Sequence, residues 1–549
     1  MFCYQCQETT KNSGCLIRGI CGKDPRTAAL QDYLLYALKG LSFYGVRART
    51  AGFADEATDL FVAQSLFATL TNVNFDNQRI YQLTREAFAR RDQLRDNHEI
   101  FVEVPLPAMA TCSSLGNMDD YVRRGALVAF HAVPHASEDV QSLRELIIYG
   151  LKGLAAYCDH SYVLDHSDPA LLAFLQEGLA ATIDDAMSVE ELISTAMRCG
   201  QYGVQAMELL DRANTTRFGH PEPTWVNLGV DSTAPGILVS GHDLLDLYEL
   251  LEQTAGTGIT VYTHGEMLPA HAYPAFKQFP HLVGNYGSAW WEQQRHFEQF
   301  NGPILMTTNC LQKPRASYAD RLFTTGMVGW DGMPQIPDRE PGKSKDFSSL
   351  ITCARNCVAP TELETGQIQI GFAHQAVLSV ADQVVEAIQN GAIKRFVVMA
   401  GCDGRHKERN YYTDVAQTLP NDTIILTAGC AKFRYNKLDL GTIGGFPRVM
   451  DAGQCNDSYS LVVIAQQLAK AVGATDINDL PISYDIAWYE QKAVLVLLSL
   501  LSLGVKGIRL GPTLPAFLSP NVCNFLVQTF DLKPIDDAKT DVEAMLVGG

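Results

Sequence analysis

The feature that most restricts this chain is a change of hydrophobic rhythm near residue 220. Before it, apolar residues recur at three-to-four spacing over Asp32–Tyr44, Ala57–Thr71, Gln78–Asp96, Ser137–Cys158, Pro169–Gly178 and Val189–Ala213, which predicts helices. After it, short apolar runs alternate with helical ones: GILVSG (236–241), GITVYTHG (258–265), PILMTTNC (303–310), RFVVMAGC (395–402), TIILTAGC (423–430) and GIRLGP (507–512). That alternation is βαβ rhythm and predicts parallel sheets covered by helices. Breaker-rich Phe218–Pro223 marks the transition, and Asp331–Lys345, rich in Pro, Gly and charge, reads as a second loop or linker. The expected architecture is multidomain: a helical region over 1–222, then α/β regions over 223–360 and 361–549.

Hydrophobic residues make up 47% and charged residues 19%, enough for a large core. A net charge of −18 argues against a nucleic-acid footprint or a polybasic membrane patch and, by repelling anions, favours a neutral, cationic or very small substrate. The apolar run Val494–Leu503 is too short to span a bilayer and reads as a buried helix. The first residues, MFCYQCQETTKNSGC, lack a basic and apolar leader, so a cytoplasmic location is expected. Fourteen cysteines in a reducing compartment point to metal or redox chemistry ahead of disulfides.

Cys3, Cys6, Cys15 and Cys21 form a C-x2-C-x8-C-x5-C set. Four thiolates so close can wrap one iron–sulfur cluster or one zinc ion. Zinc ribbons pair two C-x2-C knuckles, and the second pair here is C-x5-C, which favours iron–sulfur. Gly14 and Gly22 would let the backbone approach such a cluster.

A second constellation lies at strand ends. Cys402, Cys430 and Cys455 each follow a β-like run, about one βα unit apart, which would set them side by side at the carboxyl edge of a parallel sheet. Cys310 ends PILMTTN in the same way, while His242 follows GILVSG and Glu266 follows ITVYTHG. A lone cysteine at a strand end is usually a small buried hydrophobe. Four such cysteines with a His and a Glu at equivalent points indicate one shared site, toward which both α/β regions would face their strand ends. In WYEQK, Glu490 and Lys492 are two apart and do not share a helix face, so both could reach a site only from a non-helical start. The alternative is a solvated first helical turn. Cys112, Cys158, Cys199 and Cys523 read as core thiols, and Cys353 with Cys357 as a loop thiol pair. No G-x-G-x-x-G fingerprint for a flavin or nicotinamide follows a strand.

Together, MFCYQCQET…GC…CGK, GCDG, AGCAKFRY, MDAGQCND and WYEQKA resemble the hybrid-cluster (prismane) family from end to end. The resemblance implies a helical N-terminal domain and two Rossmann-like α/β domains. It implies that Cys3, Cys6, Cys15 and Cys21 hold a [4Fe–4S] cluster, the form matched by the short N-terminal spacing. It places the ligands of a hybrid [4Fe–2S–2O] cluster at the domain junction on His242, Glu266, Cys310, Cys402, Cys430, Cys455 and Glu490, with a persulfide on Cys402 and Lys492 beside the cluster. Family members reduce hydroxylamine to ammonia and nitric oxide to nitrous oxide, with electrons from a separate donor protein. Glu490 would then be an iron ligand able to open and Lys492 a proton source, against the simpler role of counter-ion. Two other readings stand beside this one. A nickel carbon-monoxide dehydrogenase shares the architecture, although glutamate ligands speak against it. A signalling protein that passes nitrosyl groups to partner cysteines would use the same cluster.

Overall fold

The computed structural model describes residues 1–97, 105–113, 116–129 and 137–548. Seven long helices fill the N-terminal region: α1 (Pro25–Thr50), α2 (Glu56–Ala68), α3 (Asn77–Asn97), α4 (Met118–Val128), α5 (Glu138–Val163), α6 (Pro169–Ala181) and α7 (Val189–Phe218). Their starts follow from local chemistry. Asp24 caps α1 by accepting from Thr27 N, with Pro25 in the first turn, and Ser188 and Glu191 close a capping box on α7. Gly219, at φ 85°, ends α7 within the breaker run expected there. The apolar segments noted in the sequence correspond to six of the seven; α4, the shortest of them, has Met118, Tyr121 and Val122 at the same spacing but lies outside those segments.

Two parallel sheets follow. The first contains β1 (Gly236–Ser240), β2 (Thr260–His264), β3 (Leu282–Asn285), β4 (Ile304–Met306) and β5 (Leu322–Thr324), in the order β3-β2-β1-β4-β5. The second contains β6 (Arg395–Gly401), β7 (Thr423–Thr427), β8 (Val449–Asp451), β9 (Ile482–Ala487), β10 (Ile508–Gly511) and β11 (Lys533–Pro534), in the order β8-β7-β6-β9-β10-β11. Each order reverses direction beside its first strand, between β1 and β4 and between β6 and β9. Such switch points leave a crevice at the strands' carboxyl ends, where doubly wound sheets hold their ligands. The fold is therefore a helical N-terminal region followed by α/β units with parallel sheets.

The 331–345 segment is no free linker. Arg339 pairs with Glu249 at 2.9 and 3.0 Å and with Asp246 at 2.7 Å, and Lys345 reaches Asp246 at 3.0 Å, tying the loop to helix α8 (Leu244–Thr254). Strand Gln367–Ile370 then pairs antiparallel with Thr224–Asn227, so the chain leaves the first α/β unit beside the point where it entered. Among the described residues no helix is long and apolar enough to cross a membrane. The run Val494–Leu503 instead forms most of helix α9 (Gln491–Ser502), which packs against α5 and α7.

Glycines on α5 and α7 allow that close approach. A Cβ at Gly153 would stand 2.6 Å from the Gln491 carbonyl, and one at Gly200 would collide with the Leu498 carbonyl. Because α9 begins at the WYEQK segment, this packing fixes where Glu490 and Lys492 sit. Gly200→Val should lower the melting temperature, since overpacking a filled interface costs about 1–3 kcal/mol. An unchanged thermal transition would contradict a close-packed α7–α9 seam.

Candidate metal centres

The N-terminal cysteines lie in one short loop. Cys3 and Cys15 form a two-residue antiparallel bridge, with Cys15 N donating to Cys3 O at 2.8 Å and Cys3 N to Cys15 O at 3.1 Å. Burial pushes the Cys6 and Cys21 thiols up, and neighbouring Cys3 adds to both effects. At Cys15 burial is outweighed by hydrogen bonds from Thr10, Ile20 and Thr9, and its pKa falls. Lys23 is buried alongside; burial opposes its charge, but Cys3 and Cys21 hold its ammonium above the usual range. Four thiols in one short loop, close enough to act on one another's ionisation, with a buried cation beside them, match the donor set of an anionic iron–sulfur centre.

The second constellation converges at the two switch points. His242 follows β1 and Cys310 lies four residues past β4; Cys402 follows β6 and Glu490 comes three residues after β9. Glu266 sits beyond β2, while Cys430 and Cys455 lie beyond β7 and β8. All seven line one cavity between the sheets. Ligand atoms of His242, Glu266 and Cys455 lie within 4.8 Å of one another. Cys455 Sγ is 3.7 Å from His242 Nε2, and Cys455 N donates to Glu266 Oε2 at 2.9 Å, so residues of the two sheets touch.

Local backbone explains the placement. A glycine with positive φ precedes four of these side chains: Gly241, Gly265, Gly401 and Gly429. At Gly401 and Gly429 any Cβ would also strike a carbonyl of the adjoining segment, Ala487 O and Gly401 O respectively. Only glycine fits these turns, and each turn swings the next side chain toward the opposite sheet.

Glu490 and Lys492 meet the condition that the sequence set. Glu490 is the N-cap of α9 in extended conformation (φ −131°, ψ −174°), accepting from Lys492 N at 2.7 Å. Both side chains are buried, at 2% and 1% exposure, which rules out a solvated first turn. Lys492 Nζ donates to His242 Nε2 and to Asn309 Oδ1, each at 3.0 Å, and lies 3.8 Å from Glu490 Oε1.

The electrostatics suit cation binding. Burial raises both carboxylates, with Lys492 acting against it. Burial likewise pushes Cys455 up to about 11 and Cys310, Cys402 and Cys430 higher. These protons stay until a cation displaces them. His242 is held neutral by burial and by Lys492. Thr308 Oγ1 donates to Asn309 O at 3.2 Å, so at 2.8 Å it accepts from His242 Nδ1–H. That assignment makes Nε2 the acceptor, which takes the hydrogen bond from Lys492 Nζ; a metal bound there would take the lone pair in place of Lys492. Glu266 Oε1 is buried and, among the described residues, has no partner at full hydrogen-bond geometry, although the Cys430 thiol lies beside the carboxylate and acts to lower its pKa. The residues thus fit a mixed iron centre: thiols for sulfide-rich corners, carboxylate and imidazole for harder iron.

Other residues gave no local sequence signal. Tyr157 OH reaches Cys455 Sγ at 3.4 Å from α5. Arg409, fully buried, donates to Cys402 O at 3.0 Å, Trp488 O at 2.7 Å and Gln7 Oε1 at 2.8 Å, linking both centres. Trp290 stacks on Tyr489 with ring centroids 4.5 Å apart, in one apolar cluster with Cys6 and Cys430. The expected core thiols divide. Cys158 and Cys199 are buried in α5 and α7, but Cys112 and Cys523 are only half-buried. Cys353 is no loop residue, since it lies on helix Ser348–Arg355; Cys357 follows that helix and donates back to Cys353 O at 3.3 Å.

A family model described as "Prismane/CO dehydrogenase family" matches residues 1–543. Curated relatives named hydroxylamine reductase match end to end. Those from Halothermothrix orenii and Nitratidesulfovibrio vulgaris are 59% and 57% identical, over the whole of this chain and of theirs. One from Methanosarcina mazei is 56% identical with the same full coverage. Among solved structures, carbon monoxide dehydrogenase from Thermococcus sp. AM4 superposes with a TM-score of 0.57 at 15% identity, covering 99% of this chain and 90% of its own. Carbon monoxide dehydrogenase IV from Carboxydothermus hydrogenoformans gives 0.55 at 15% identity, with 99% and 92% coverage. At that identity the likeness is one of fold. The match across nearly the whole length, with end-to-end relatives above half identity, places this chain in the prismane family, whose members carry iron–sulfur clusters.

Proposed function

We propose that this chain is a hydroxylamine reductase that also reduces nitric oxide to nitrous oxide. The observation that carries the reading is the mixed donor set at the meeting sheets, with Glu266 and Glu490 among thiols and an imidazole, in a chain 59% identical to a hydroxylamine reductase. In this reading Cys3, Cys6, Cys15 and Cys21 hold a [4Fe–4S] cluster. His242, Glu266, Cys310, Cys402, Cys430, Cys455 and Glu490 hold a hybrid [4Fe–2S–2O] cluster. The hybrid cluster supplies electrons and an iron position that a small nitrogen compound can occupy.

The chain's own residues do the rest. Hydroxylamine, two electrons and two protons give ammonia and water, so the site needs an acid as well as an electron store. Lys492 is that acid. Burial opposes its charge, but each negative charge that forms on Cys455, Glu490, Cys310 or Glu266 raises its pKa, and together they hold it above the usual lysine value. Glu490 takes hydrogen bonds from Lys492 N and Asn309 Nδ2, partners that would hold its carboxylate in place if it were not bound to iron. Trp290 and Tyr489 line the cavity and pack in one apolar cluster with Cys6. Electrons arrive from a separate donor protein at the N-terminal centre.

The direct test uses anaerobically purified, iron-replete protein, reduced and then given hydroxylamine. One ammonium per two electrons consumed is expected. No ammonium at any hydroxylamine concentration would sink the reading.

Two substitutions separate the roles of the WYEQK residues. Lys492→Met should keep the cluster spectra and KM while lowering kcat about 10²-fold, the usual size of a general-acid contribution. Glu490→Ala should alter the spectrum of the hybrid centre itself. Lys492 stays charged across roughly pH 6–9, so wild-type kcat should show no loss from its deprotonation there. A Lys492→Met enzyme turning over at the wild-type rate would reduce Lys492 to a counter-ion.

A further inference from the structure

The loop bearing the last two N-terminal cysteines is apolar where it meets solvent. Leu16, Ile17 and Ile20, all between Cys15 and Cys21, are 65%, 86% and 47% exposed. Covering such side chains removes apolar surface from water, which favours association. Single exposed aliphatics are ordinary, but three within one short loop mark a contact surface.

The charge around them is opposite to that of the whole chain. Residues 9–23 include Lys11, Arg18 and Lys23 and no carboxylate, although the chain carries −18. Lys11 and Arg18 are exposed. Exposed Lys313 stands against the same loop, where a Cβ at Gly22 would lie 3.3 Å from its own Cβ. Of the two acids that flank this stretch, Glu8 is buried and held by Arg405, whose Nη2 donates to it at 2.7 Å and to Ile20 O at 3.1 Å, and half-buried Asp24 caps α1 by accepting from Thr27 N. The cover over the cysteines is thin: Cys3 and Cys21 are themselves only half-buried.

We propose that Leu16, Ile17 and Ile20, with Lys11 and Arg18 in the same loop and Lys313 beside it, form the docking surface for a small acidic electron-carrier protein. The proposal rests on the reading that the four N-terminal cysteines hold a redox cluster. In the step the carrier's centre loses one electron and the four-cysteine centre gains it; no bond forms or breaks. Charge complementarity selects this occupant. A second copy of the chain, docked face to face, would oppose the same cations to themselves, whereas an acidic carrier meets cations beside an apolar patch.

The experiment is stopped-flow reduction of the intact enzyme, with a reduced, acidic [4Fe–4S] ferredoxin as the carrier probe and photoreduced deazaflavin as a small uncharged reductant. Ferredoxin-driven reduction should slow as salt rises. The double variant Ile17→Ser with Arg18→Glu should lower its second-order rate constant about 10- to 100-fold, the range of electrostatic steering, with the deazaflavin rate unchanged. Lys313→Glu, outside the cysteine loop, should act in the same direction. Wild-type ferredoxin rates in both variants would overturn the proposal. So would a wild-type dimer that Ile17→Ser dissociates, or binding to anionic vesicles that the double variant abolishes, because each assigns the surface to another occupant. If deazaflavin reduces no N-terminal centre in the wild type, the reading of the cysteines falls first and the docking surface with it.

Discussion

The structure turns on one ammonium group buried among acids. Lys492 sits within hydrogen-bond reach of His242 and Asn309 and within 3.8 Å of Glu490, with four thiols and a second carboxylate around the same cavity. Taking an ionised carboxylate out of water costs several kcal/mol even after relaxation. One lysine cannot offset two carboxylates and four thiolates, so most of these groups keep their protons until further positive charge arrives. In the proposed hybrid cluster that charge is iron, and it makes the buried constellation sustainable.

Holding that constellation together takes elements from every part of the chain. The two switch points face each other, and Gln454 Nε2 bridges the sheets by donating to His242 O at 3.0 Å and to Glu266 O at 2.8 Å. Lys432, two residues past Cys430, forms a buried ion pair with Asp451 at the end of the neighbouring strand, joining the turns that present Cys430 and Cys455. The N-terminal loop is pinned to the same place: Gln7 N donates to Tyr489 O at 2.9 Å, and Gln491 Nε2 donates to Gln5 O at 2.5 Å. The segment that offers Glu490 to one centre thus also anchors the loop of the other.

Much of this is legible in the sequence because the chemistry is periodic. Apolar segments noted in the sequence correspond to six of the seven N-terminal helices, and strand–glycine–ligand repeats mark His242, Glu266, Cys402 and Cys430. Glu490 and Lys492 stay ambiguous in sequence because residues two apart fit one site only if the helix starts between them, and the start is set by tertiary packing of α9 on α5 and α7. Tyr157, Asn309, Thr308 and Arg409 are invisible for a related reason. Each acts through a partner distant in sequence or through a turn whose shape no local pattern encodes. The tied 331–345 loop has the composition of a linker, while Arg339 and Lys345 find their carboxylates only in the folded chain.

The central claim is that residues of both sheets hold one iron centre. Anomalous diffraction at the iron edge, from crystals grown anaerobically, tests it most directly. Two separate groups of iron peaks are expected, one at the four N-terminal cysteines and one within about 2.0–2.6 Å of donor atoms on His242, Glu266 and Cys455, the usual range of metal–ligand bonds. Iron confined to the N-terminal cysteines, or a nickel-edge signal at the second site, would contradict the claim.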